Sequence, residues 1–211
     1  MKLMILDGNS VVNRAFYGIR PLTTREGLYT NAIFGFLNIL QRMEHEENPD
    51  GICVAFDLQG PTFRHLQYDG YKATRHGMPE ELAQQMPLLK EVLRAMNIPI
   101  LECQGWEADD IIGTAARLAE EADIEPLIIT GDKDALQLAT DKTKILITKK
   151  GISEFELFDY DKMVEHYGLT PTQFIDLKGL MGDSSDNIPG IPGVGEKTGI
   201  ALLTQFHSIE N

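Results

Sequence analysis

Three short apolar segments of this chain each run into an aspartate. The segments are residues 2–6, 52–56 and 127–130, and the aspartates are Asp7, Asp57 and Asp132. Apolar runs of this length, followed by turn-forming residues, predict buried strands. If the strands are parallel, their carboxyl ends share the edge of the sheet at which ligands of open α/β sheets bind. The pattern therefore predicts one crevice that receives three carboxylates.

Segments with helical spacing separate these strands. The helical segments are residues 31–43, 79–96 and 107–121, and shorter strands are expected at 98–101 and 144–148. Pro87 predicts a break inside the second helical segment, with the proline opening a new helix. Strands that alternate with helices are typical of α/β proteins. We therefore expect a central, mostly parallel sheet flanked by helices over residues 1–160.

Nine acidic residues occupy positions that suit a shared site. They are Asp7, Asp57, Glu107, Asp109, Asp110, Asp132, Asp134, Asp183 and Asp186. Glu107 and Asp110 are three residues apart at the start of a predicted helix and share a face, and Asp183 and Asp186 have the same spacing. Any one of these acids alone is better explained as a helix cap or a solvated turn residue. The coincidence of strand-end aspartates with two such pairs favours a metal site.

An all-carboxylate site suits hard cations such as Mg²⁺ or Mn²⁺. Two such ions roughly 4 Å apart can activate water and stabilise the leaving oxygen in phosphodiester hydrolysis. Cys53 and Cys103 have no Cys or His at metal-ligand spacing, so no zinc site is expected. The net charge of −13 argues at first against a nucleic-acid partner. This objection weakens if many of the carboxylates form one site that recruits cations.

Residues 61–76 form a basic segment, because they are net positive within this acidic chain. Arg64, Lys72 and Arg75 stand against Asp69, and tyrosines alternate with the basic residues. Cations suit phosphates, and aromatic rings suit unstacked bases. Composition alone supports an ordinary polar loop and a DNA contact about equally.

The character of the sequence changes in residues 161–211, which predict a helical subdomain. Helices are expected near 161–167 and 171–181. In the segment that follows, Gly193 and Gly195 let backbone N–H groups approach a phosphate, the next helix offers its positive end, and Lys197 adds a cation. This segment resembles a helix-hairpin-helix motif that contacts the DNA backbone. We favour that interpretation over a glycine- and proline-rich turn between packed helices.

Short motifs follow one another in a fixed order along nearly the whole chain. They are LDGNS at 6–10, VAFD at 54–57, YKATR at 71–75, EADD at 107–110, TGDKD at 130–134, MGDSSDNIPG at 181–190 and GVGEKT at 193–198. In this order they resemble the 5′-nuclease family, which includes flap endonucleases and the N-terminal nuclease domain of bacterial DNA polymerase I.

The resemblance implies a PIN-like or resolvase-like core, a helical arch at about 61–86 and a helix-hairpin-helix subdomain. It implies that the nine carboxylates hold two or more Mg²⁺ or Mn²⁺ ions, with Asp110 among the catalytic residues. Lys72 and Arg75 would engage the scissile phosphate, and Tyr71 would stack near the terminal nucleotide. The remaining implied DNA contacts are Arg14, Arg64, Gly193, Gly195 and Lys197, with K⁺ at the hairpin.

Members of this family cleave 5′ flaps, nicked duplexes and 5′ ends and remove RNA primers in replication and repair. The family domain continues beyond the position of Asn211, and in DNA polymerase I a polymerase follows, so we expect a fragment of a longer protein. No apolar run approaches the length needed to cross a bilayer, and the first one is too short for a signal peptide. We expect a cytoplasmic protein.

Three other classes of protein share parts of this pattern. A PIN-type ribonuclease also places acids at strand ends, but the basic segment and the hairpin argue against it. A haloacid dehalogenase-type phosphatase needs a second acid two residues after the first aspartate, where this chain has Asn9. A non-catalytic DNA-binding module would gain nothing from nine clustered acids without metal, because they repel phosphate.

Overall fold

A six-stranded sheet forms the centre of the computed structural model, which describes residues 1–75, 77–149 and 154–211. The strands are β1 Lys2–Asp7, β2 Gly51–Ala55, β3 Ile100–Leu101, β4 Glu125–Thr130, β5 Lys144–Thr148 and β6 Phe155–Phe158. Their order across the sheet is β3-β2-β1-β4-β5-β6, and each neighbouring pair is parallel except β5 with β6. The predicted mostly parallel sheet is confirmed, and β6 is an additional strand that the sequence pattern did not predict.

Helices cover both faces of the sheet. They are α1 Gly8–Gly18, α2 Asn31–Glu47, α3 Phe63–Gln67, α4 Glu80–Ala83, α5 Gln85–Ala95, α6 Ala108–Glu121, α7 Tyr160–Tyr167, α8 Pro171–Met181 and α9 Glu196–Phe206, with a 3-10 helix at Lys133–Leu138. Met4 and Leu6 of β1 lie in a core with α1, α2 and α5, whereas Ile5 lies in a core with α6, α8 and α9. Because both faces are buried, β1 is continuously apolar. None of the described helices is long and apolar enough to cross a membrane.

Helix α1 begins directly at the end of β1. The sequence around Asp7, Gly8 and Asn9 suggested a turn, and the structure shows a helix starting at Gly8 instead. Asp7 both ends the strand and caps the helix, because its carboxylate accepts a hydrogen bond from the backbone N–H of Ser10. A Cβ at position 8 would lie 2.4 Å from the ring of Phe56. Gly8 therefore serves close packing of the helix against the neighbouring strand.

The other predicted helices start and end close to the expected positions. The break expected at Pro87 falls at Gln84, between α4 and α5. Pro87 instead occupies the first turn of α5, where a missing backbone N–H costs little. Helix α6 is tied to the turn before β5, because the hydroxyls of Thr140 and Thr143 both donate to Glu120. Partial burial raises the pKa of Glu120, but these hydrogen bonds outweigh it and hold the pKa below its ordinary value.

The C-terminal helices pack on the same face of the sheet as α6. Phe174 and Leu177 of α8 and Leu203 of α9 belong to that core. A short antiparallel ladder, β7 Gly182–Asp183 with β8 Ile188–Pro189, lies between α8 and α9. Directly after β8, a Cβ at Gly190 would lie only 2.0 Å from the carbonyl oxygen of Met181. Helices α8 and α9 are thus joined by this short ladder and by the glycine-containing segment 190–195 that follows it.

The described part of segment 61–86 consists of short helices joined by turns. Helix α3 has five residues and α4 has four, so the expected arch is not a continuous helix here. Residues 68–75 contact the loop after β7, where the backbone N–H of Lys72 donates to the carbonyl of Asp186 at 2.9 Å. The Asn187 side chain donates to the carbonyl of Gly70 at 2.7 Å. The segment therefore spans from the β2 side of the sheet to the loop between β7 and β8.

Candidate active site

Three aspartates stand at the carboxyl ends of neighbouring strands. Asp7 ends β1, Asp57 follows β2 and Asp132 follows β4, and these strands are adjacent and parallel. Local hydrogen bonds orient the carboxylates. The Thr130 hydroxyl donates to Asp7 at 2.7 Å, and the Asn9 side chain and a backbone N–H at the start of α6 donate to Asp57 at 2.8 and 2.7 Å. The sheet thus gathers side chains that are far apart in sequence.

The start of α6 supplies further carboxylates. The backbone N–H of Glu107 donates to Asp110 at 3.0 Å as part of a capping box. Glu107 is 6% exposed, and it accepts hydrogen bonds from the Tyr71 hydroxyl at 2.7 Å and the Lys72 ammonium at 2.9 Å. Asp110 accepts two hydrogen bonds from Arg64, each of 2.8 Å. Such a bidentate pair is both strong and geometrically specific.

Most of the predicted carboxylates line one groove at the carboxyl edge of the sheet. This carboxylate groove has a volume of about 390 Å³. Seven of the predicted acids line it: Asp7, Asp57, Glu107, Asp109, Asp132, Asp134 and Asp186. An adjoining cavity of about 310 Å³ shares Asp7, Asp109, Asp132 and Asp134 with the groove and adds Asp110. Asp183 lies beside the groove, and Lys178 contacts both Asp183 and the groove residue Asp134.

Basic side chains compensate part of this charge. Besides the pairs made by Lys72 and Arg64, Arg75 forms an ion pair with Asp186. Lys178 of α8 lies 2.9 Å from Asp134 and 3.0 Å from Asp183. Burial raises the pKa of Asp183, but a serine hydroxyl and Lys178 outweigh it and lower the pKa to about 2.

Sequence reasoning did not single out Lys178 or the hydrogen-bonding roles of Asn9, Ser10 and Thr130. The last three stand inside the motifs LDGNS and TGDKD, so their position was visible but their role was not. The Ser10 hydroxyl accepts a hydrogen bond from the backbone N–H of Gly131 at 2.8 Å, which joins the first turn of α1 to the end of β4. For Lys178 the available signal was only its place in the last turn of a predicted helix.

Burial and neighbouring charges raise the pKa of three carboxylates in the groove, Asp7, Asp109 and Asp134. Burial raises the pKa of Asp7 to about 6, and the charges of Asp57 and Asp132 add to the shift against the hydrogen bonds that Asp7 accepts. Burial is also the largest cause that raises the pKa of Asp109 to about 6. The contributions of neighbouring carboxylates to these shifts mark a region of negative potential that favours bound cations.

The donor set of the groove consists of carboxylate oxygens, which fit a hard divalent cation. Within residues 1–75, 77–149 and 154–211, no three acidic, His or Cys side chains are arranged to enclose a metal ion in these rotamers. Several of the acids instead contact Arg64, Lys72, Arg75 and Lys178. The chemistry of the groove therefore fits a metal, and the carboxylates paired with these cations must change partner to bind one.

The predicted DNA contacts fall into two regions. The Arg14 guanidinium donates to the carbonyl of Thr148 at 2.8 Å, at a cavity that shares Ser10, Asn13 and Gly131 with the carboxylate groove. On the glycine hairpin that precedes α9, a Cβ at Gly193 or Gly195 would meet nothing within 4 Å. Lys197, in the first turn of α9, is exposed. The hairpin therefore presents open backbone and a cation.

Tyr71 differs from its implied role in this conformation. Its side chain is 5% exposed, its hydroxyl is bonded to Glu107, and its ring packs edge-on against His65. A ring enclosed in this way cannot stack on a nucleotide base. Stacking by Tyr71 would require residues 68–75 to move away from the groove.

Fold and site together define a resolvase-like α/β protein with a carboxylate cluster at the sheet edge and a hairpin-linked helix pair beside it. A family model described as "5′-3′ exonuclease, N-terminal resolvase-like domain" matches residues 2–168. A second, described as "5′-3′ exonuclease, C-terminal SAM fold", matches residues 169–211. The chain belongs to the 5′-3′ exonuclease family, whose members are nucleases that act on DNA.

Curated relatives include several bacterial DNA polymerases I. The chain is 52% identical over 209 residues to DNA polymerase I of Bacillus subtilis. The match covers 99% of this chain and 24% of that protein. It is 46% identical over 211 residues to DNA polymerase I of Mycobacterium tuberculosis, with 99% and 23% covered. The chain spans about a quarter of the length of these relatives.

Solved structures of similar fold come from phage and archaeal nucleases. T5 5′-exonuclease with bound zinc matches with a TM-score of 0.79 and 25% identity, over 100% of this chain and 77% of that one. The flap endonuclease of bacteriophage T5, solved with DNA and metal ions, matches with a TM-score of 0.77 and 25% identity over the same shares. Flap endonuclease-1 from Methanococcus jannaschii matches with a TM-score of 0.65 and 20% identity, over 97% of this chain and 71% of that one. This match supports the fold.

Proposed function

We propose that this domain hydrolyses phosphodiester bonds near the 5′ ends of DNA strands, as a structure-specific 5′-3′ exonuclease and flap endonuclease. The observation that carries the proposal is the carboxylate groove, where seven acids from five separate parts of the chain meet beside Lys72 and Arg75. A groove with this charge binds a polyanion only if cations intervene. The fold family and the phage nucleases solved with metal ions support the same conclusion.

Two or more Mg²⁺ or Mn²⁺ ions are the proposed cofactors. Their ligands, direct or through water, are Asp7, Asp57, Glu107, Asp109, Asp110, Asp132, Asp134, Asp183 and Asp186. When bound, such ions activate water and stabilise the leaving oxygen of a phosphodiester. The chain contributes the fixed spacing of the carboxylates, because the hydrogen bonds at Asp7 and Asp57 hold both side chains against the ends of their strands.

Lys72 and Arg75 are the proposed contacts to the scissile phosphate. Both side chains reach the carboxylate groove from residues 68–75. When DNA enters, exchange of their carboxylate partners for phosphate oxygens places positive charge where negative charge develops during cleavage. Arg64 provides a further cation beside Asp110, and Tyr71 stacks on the terminal nucleotide once it leaves Glu107.

The two parts of the chain divide the work in this proposal. Residues 1–160 supply most of the carboxylates and the basic segment. Residues 161–211 supply Asp183 and Asp186 together with the hairpin, where Gly193, Gly195, Lys197 and a K⁺ ion grip the backbone of the duplex. Arg14 adds a phosphate contact in the cavity that adjoins the groove at Ser10, Asn13 and Gly131.

The proposed substrates are DNA with a 5′ flap, a nick or a free 5′ end, and the RNA primer strand at such a junction. The DNA polymerase I relatives support a role in replication and repair, with a polymerase domain following this one in the full-length protein. We place the protein in the cytoplasm on the same grounds.

Cleavage of a 5′-labelled flap DNA tests the proposal. Cutting near the junction is expected with Mg²⁺ and is lost with EDTA or with Asp110→Asn. Asp141→Asn is the matched control, because Asp141 is exposed in the turn before β5. Circular dichroism and thermal unfolding must show that both variants fold. Cutting that persists in EDTA, or that Asp110→Asn leaves unchanged, contradicts the mechanism, and a preference for single-stranded RNA would favour a PIN-type ribonuclease.

A further inference from the structure

A groove with mostly apolar walls lies between α6 and the edge of the sheet formed by β3, and we call it the apolar groove. Its volume is about 400 Å³. Its apolar walls consist of Leu101, Cys103, Trp106, Ile111, Ala115 and Leu118. Asp110 and Thr114 add polar groups, and Asp110 is already paired with Arg64. The groove therefore suits an apolar occupant.

The walls of the apolar groove are held by the surrounding fold. Helix α6 buries Ile112 in the core, and residues 111, 115 and 118 follow on the adjacent side of the helix at helical spacing. The ring of Trp106 packs against Phe63, with the ring centroids 4.9 Å apart. Even so, Trp106 is 48% exposed and Leu118 is 51% exposed. Two large apolar side chains thus face solvent from well-packed elements.

The backbone beside the apolar groove has no strand neighbour on its outer side. In the sheet formed by the described residues, β3 is the last strand at its edge. The carbonyls of Pro99 and Leu101 accept hydrogen bonds from the β2 side, so the backbone groups of Ile100 between them point outward. Native proteins usually cover or protect such an edge. An extended segment that pairs with β3 can place an apolar side chain in the groove.

The size of the apolar groove favours a covalently attached occupant. Interfaces between separate proteins use about 20–30 residues on each side. Only six apolar side chains line this groove, which is too few for a stable contact with a separate protein or a second copy. A segment of the same chain avoids most of the entropy cost of association, because a flexible connection gives it an effective concentration in the millimolar range.

The chain that follows this domain is within reach of the groove. In the DNA polymerase I relatives the matched region is about a quarter of the protein, and the proposed function places the remainder after residue 211. Helices α8 and α9 pack on the same face of the sheet as α6, so a chain that continues from α9 starts on the face that holds the groove. Strands about 4.8 Å apart make a sheet of this size about 24 Å wide, which about ten extended residues can cross.

We propose that the apolar groove is the docking site of the segment that follows residue 211 in the full-length protein. The segment lies extended along β3 and inserts a large apolar side chain between Trp106 and Leu118. The inference rests on the proposed function only in that a longer chain follows this domain, and docking requires neither metal nor DNA. Docking holds the following part of the protein on the β3 side of the nuclease domain.

Thiol labelling of Cys103 measures whether the apolar groove is covered. Cys103 is exposed, whereas Cys53 is buried and serves as the internal reference. Maleimide labelling at Cys103, assigned by peptide mass spectrometry, would be compared between residues 1–211 and the full-length protein, in EDTA and without DNA. At an effective concentration of about 1 mM, a segment with a Kd of about 0.1 mM covers the groove roughly nine-tenths of the time. Labelling of Cys103 is therefore expected to be about tenfold slower in the full-length protein.

Two variants separate docking from other effects of the following chain. Leu118→Gln in the full-length protein is expected to remove most of the protection, because the buried amide would lack a hydrogen-bond partner. Val164→Gln is the matched control, because Val164 is 41% exposed on α7, which packs beside β6 at the other edge of the sheet. In residues 1–211 alone, both variants should unfold at nearly the same temperature as the unaltered chain, since both positions are exposed.

Three results would overturn the docking site. They are equal labelling of Cys103 in the two proteins, protection that survives Leu118→Gln, and protection in residues 1–211 that grows with protein concentration, which indicates a second copy. Flap cleavage with Mg²⁺ is measured in parallel. Unprotected Cys103 together with flap cleavage refutes docking alone, whereas protected Cys103 without any cleavage supports docking and refutes the proposed nuclease function.

Discussion

The hydrogen bond between Tyr71 and Glu107 anchors the basic segment at the carboxylate groove. Its contribution to the free energy of unfolding can be measured directly. The phenol oxygen lies 2.7 Å from a Glu107 oxygen, and both side chains are at least nine-tenths buried. A hydrogen bond to a charged group contributes about 1.5–3 kcal/mol. Lys72 still contacts the other Glu107 oxygen after Tyr71→Phe, so the carboxylate is not left unpaired. We therefore expect a loss near the lower end, about 1.5 kcal/mol.

Urea unfolding followed by circular dichroism, in EDTA at neutral pH, checks this value. In thermal unfolding, a loss of about 1.5 kcal/mol corresponds to a fall of roughly 3–6 °C in Tm for a domain of this size. Tyr17→Phe is the matched control, because Tyr17 is 72% exposed and should change stability by less than about 0.5 kcal/mol. Tyr71→Phe keeps its ring, so binding of flap DNA should persist. A Tyr71→Phe variant as stable as the unaltered protein would refute the argument that this hydrogen bond anchors the segment.

Three more outcomes are expected. Gly190→Ala should lower the free energy of unfolding by about 3 kcal/mol or more, because its Cβ would meet backbone of Met181 that cannot rotate away. Gly195→Ala, in open space, should change it little, and equal stability of the two variants would contradict the argument. Glu120→Gln should cost about 1 kcal/mol at pH 7. Because the folded pKa of Glu120 lies below the unfolded value, this stabilisation is present above the unfolded pKa and is lost as the pH falls through the folded one. Denaturant unfolding at several pH values down to 3 should show the difference shrinking, and a constant difference would show that the sign is wrong. Mg²⁺ at about 100 times its Kd should raise the free energy of unfolding by about 2.7 kcal/mol, and EDTA should remove the gain. Asp7→Asn should abolish most of that gain in thermal unfolding, and an undiminished gain would exclude Asp7 as a ligand.

The part of the fold that the sequence predicted well depends on short-range pattern and on one topological rule. Asp7, Asp57 and Asp132 each follow an apolar run, and parallel strands bring their ends to one edge regardless of the length of chain between them. Helix α8 matched its predicted bounds because Thr170 and Pro171 are strong helix-start residues. These features need no knowledge of which distant residues touch.

The features that the sequence missed depend on packing between distant parts of the chain. Gly8 and Asn9 look like a turn in isolation, and only the Phe56 ring on the next strand shows why a glycine begins a helix there. Strand β6 follows the β5 strand antiparallel at the sheet edge and carries an exposed leucine, Leu157, so it lacks the continuous apolar pattern of β1. Neither feature can be predicted from the local spacing of apolar residues.

The partners of the basic residues were the hardest part of the site to predict. Arg64, Lys72 and Arg75 suggested phosphate contacts from their composition, yet the structure pairs each with a carboxylate 35 or more residues away. Both interpretations follow from one physical condition, since closely packed carboxylates need positive charge nearby. In the protein alone the basic segment and Lys178 provide it. If metal ions take over that role, Lys72 and Arg75 are released at the edge of the groove, where the proposed function requires them to meet the phosphate.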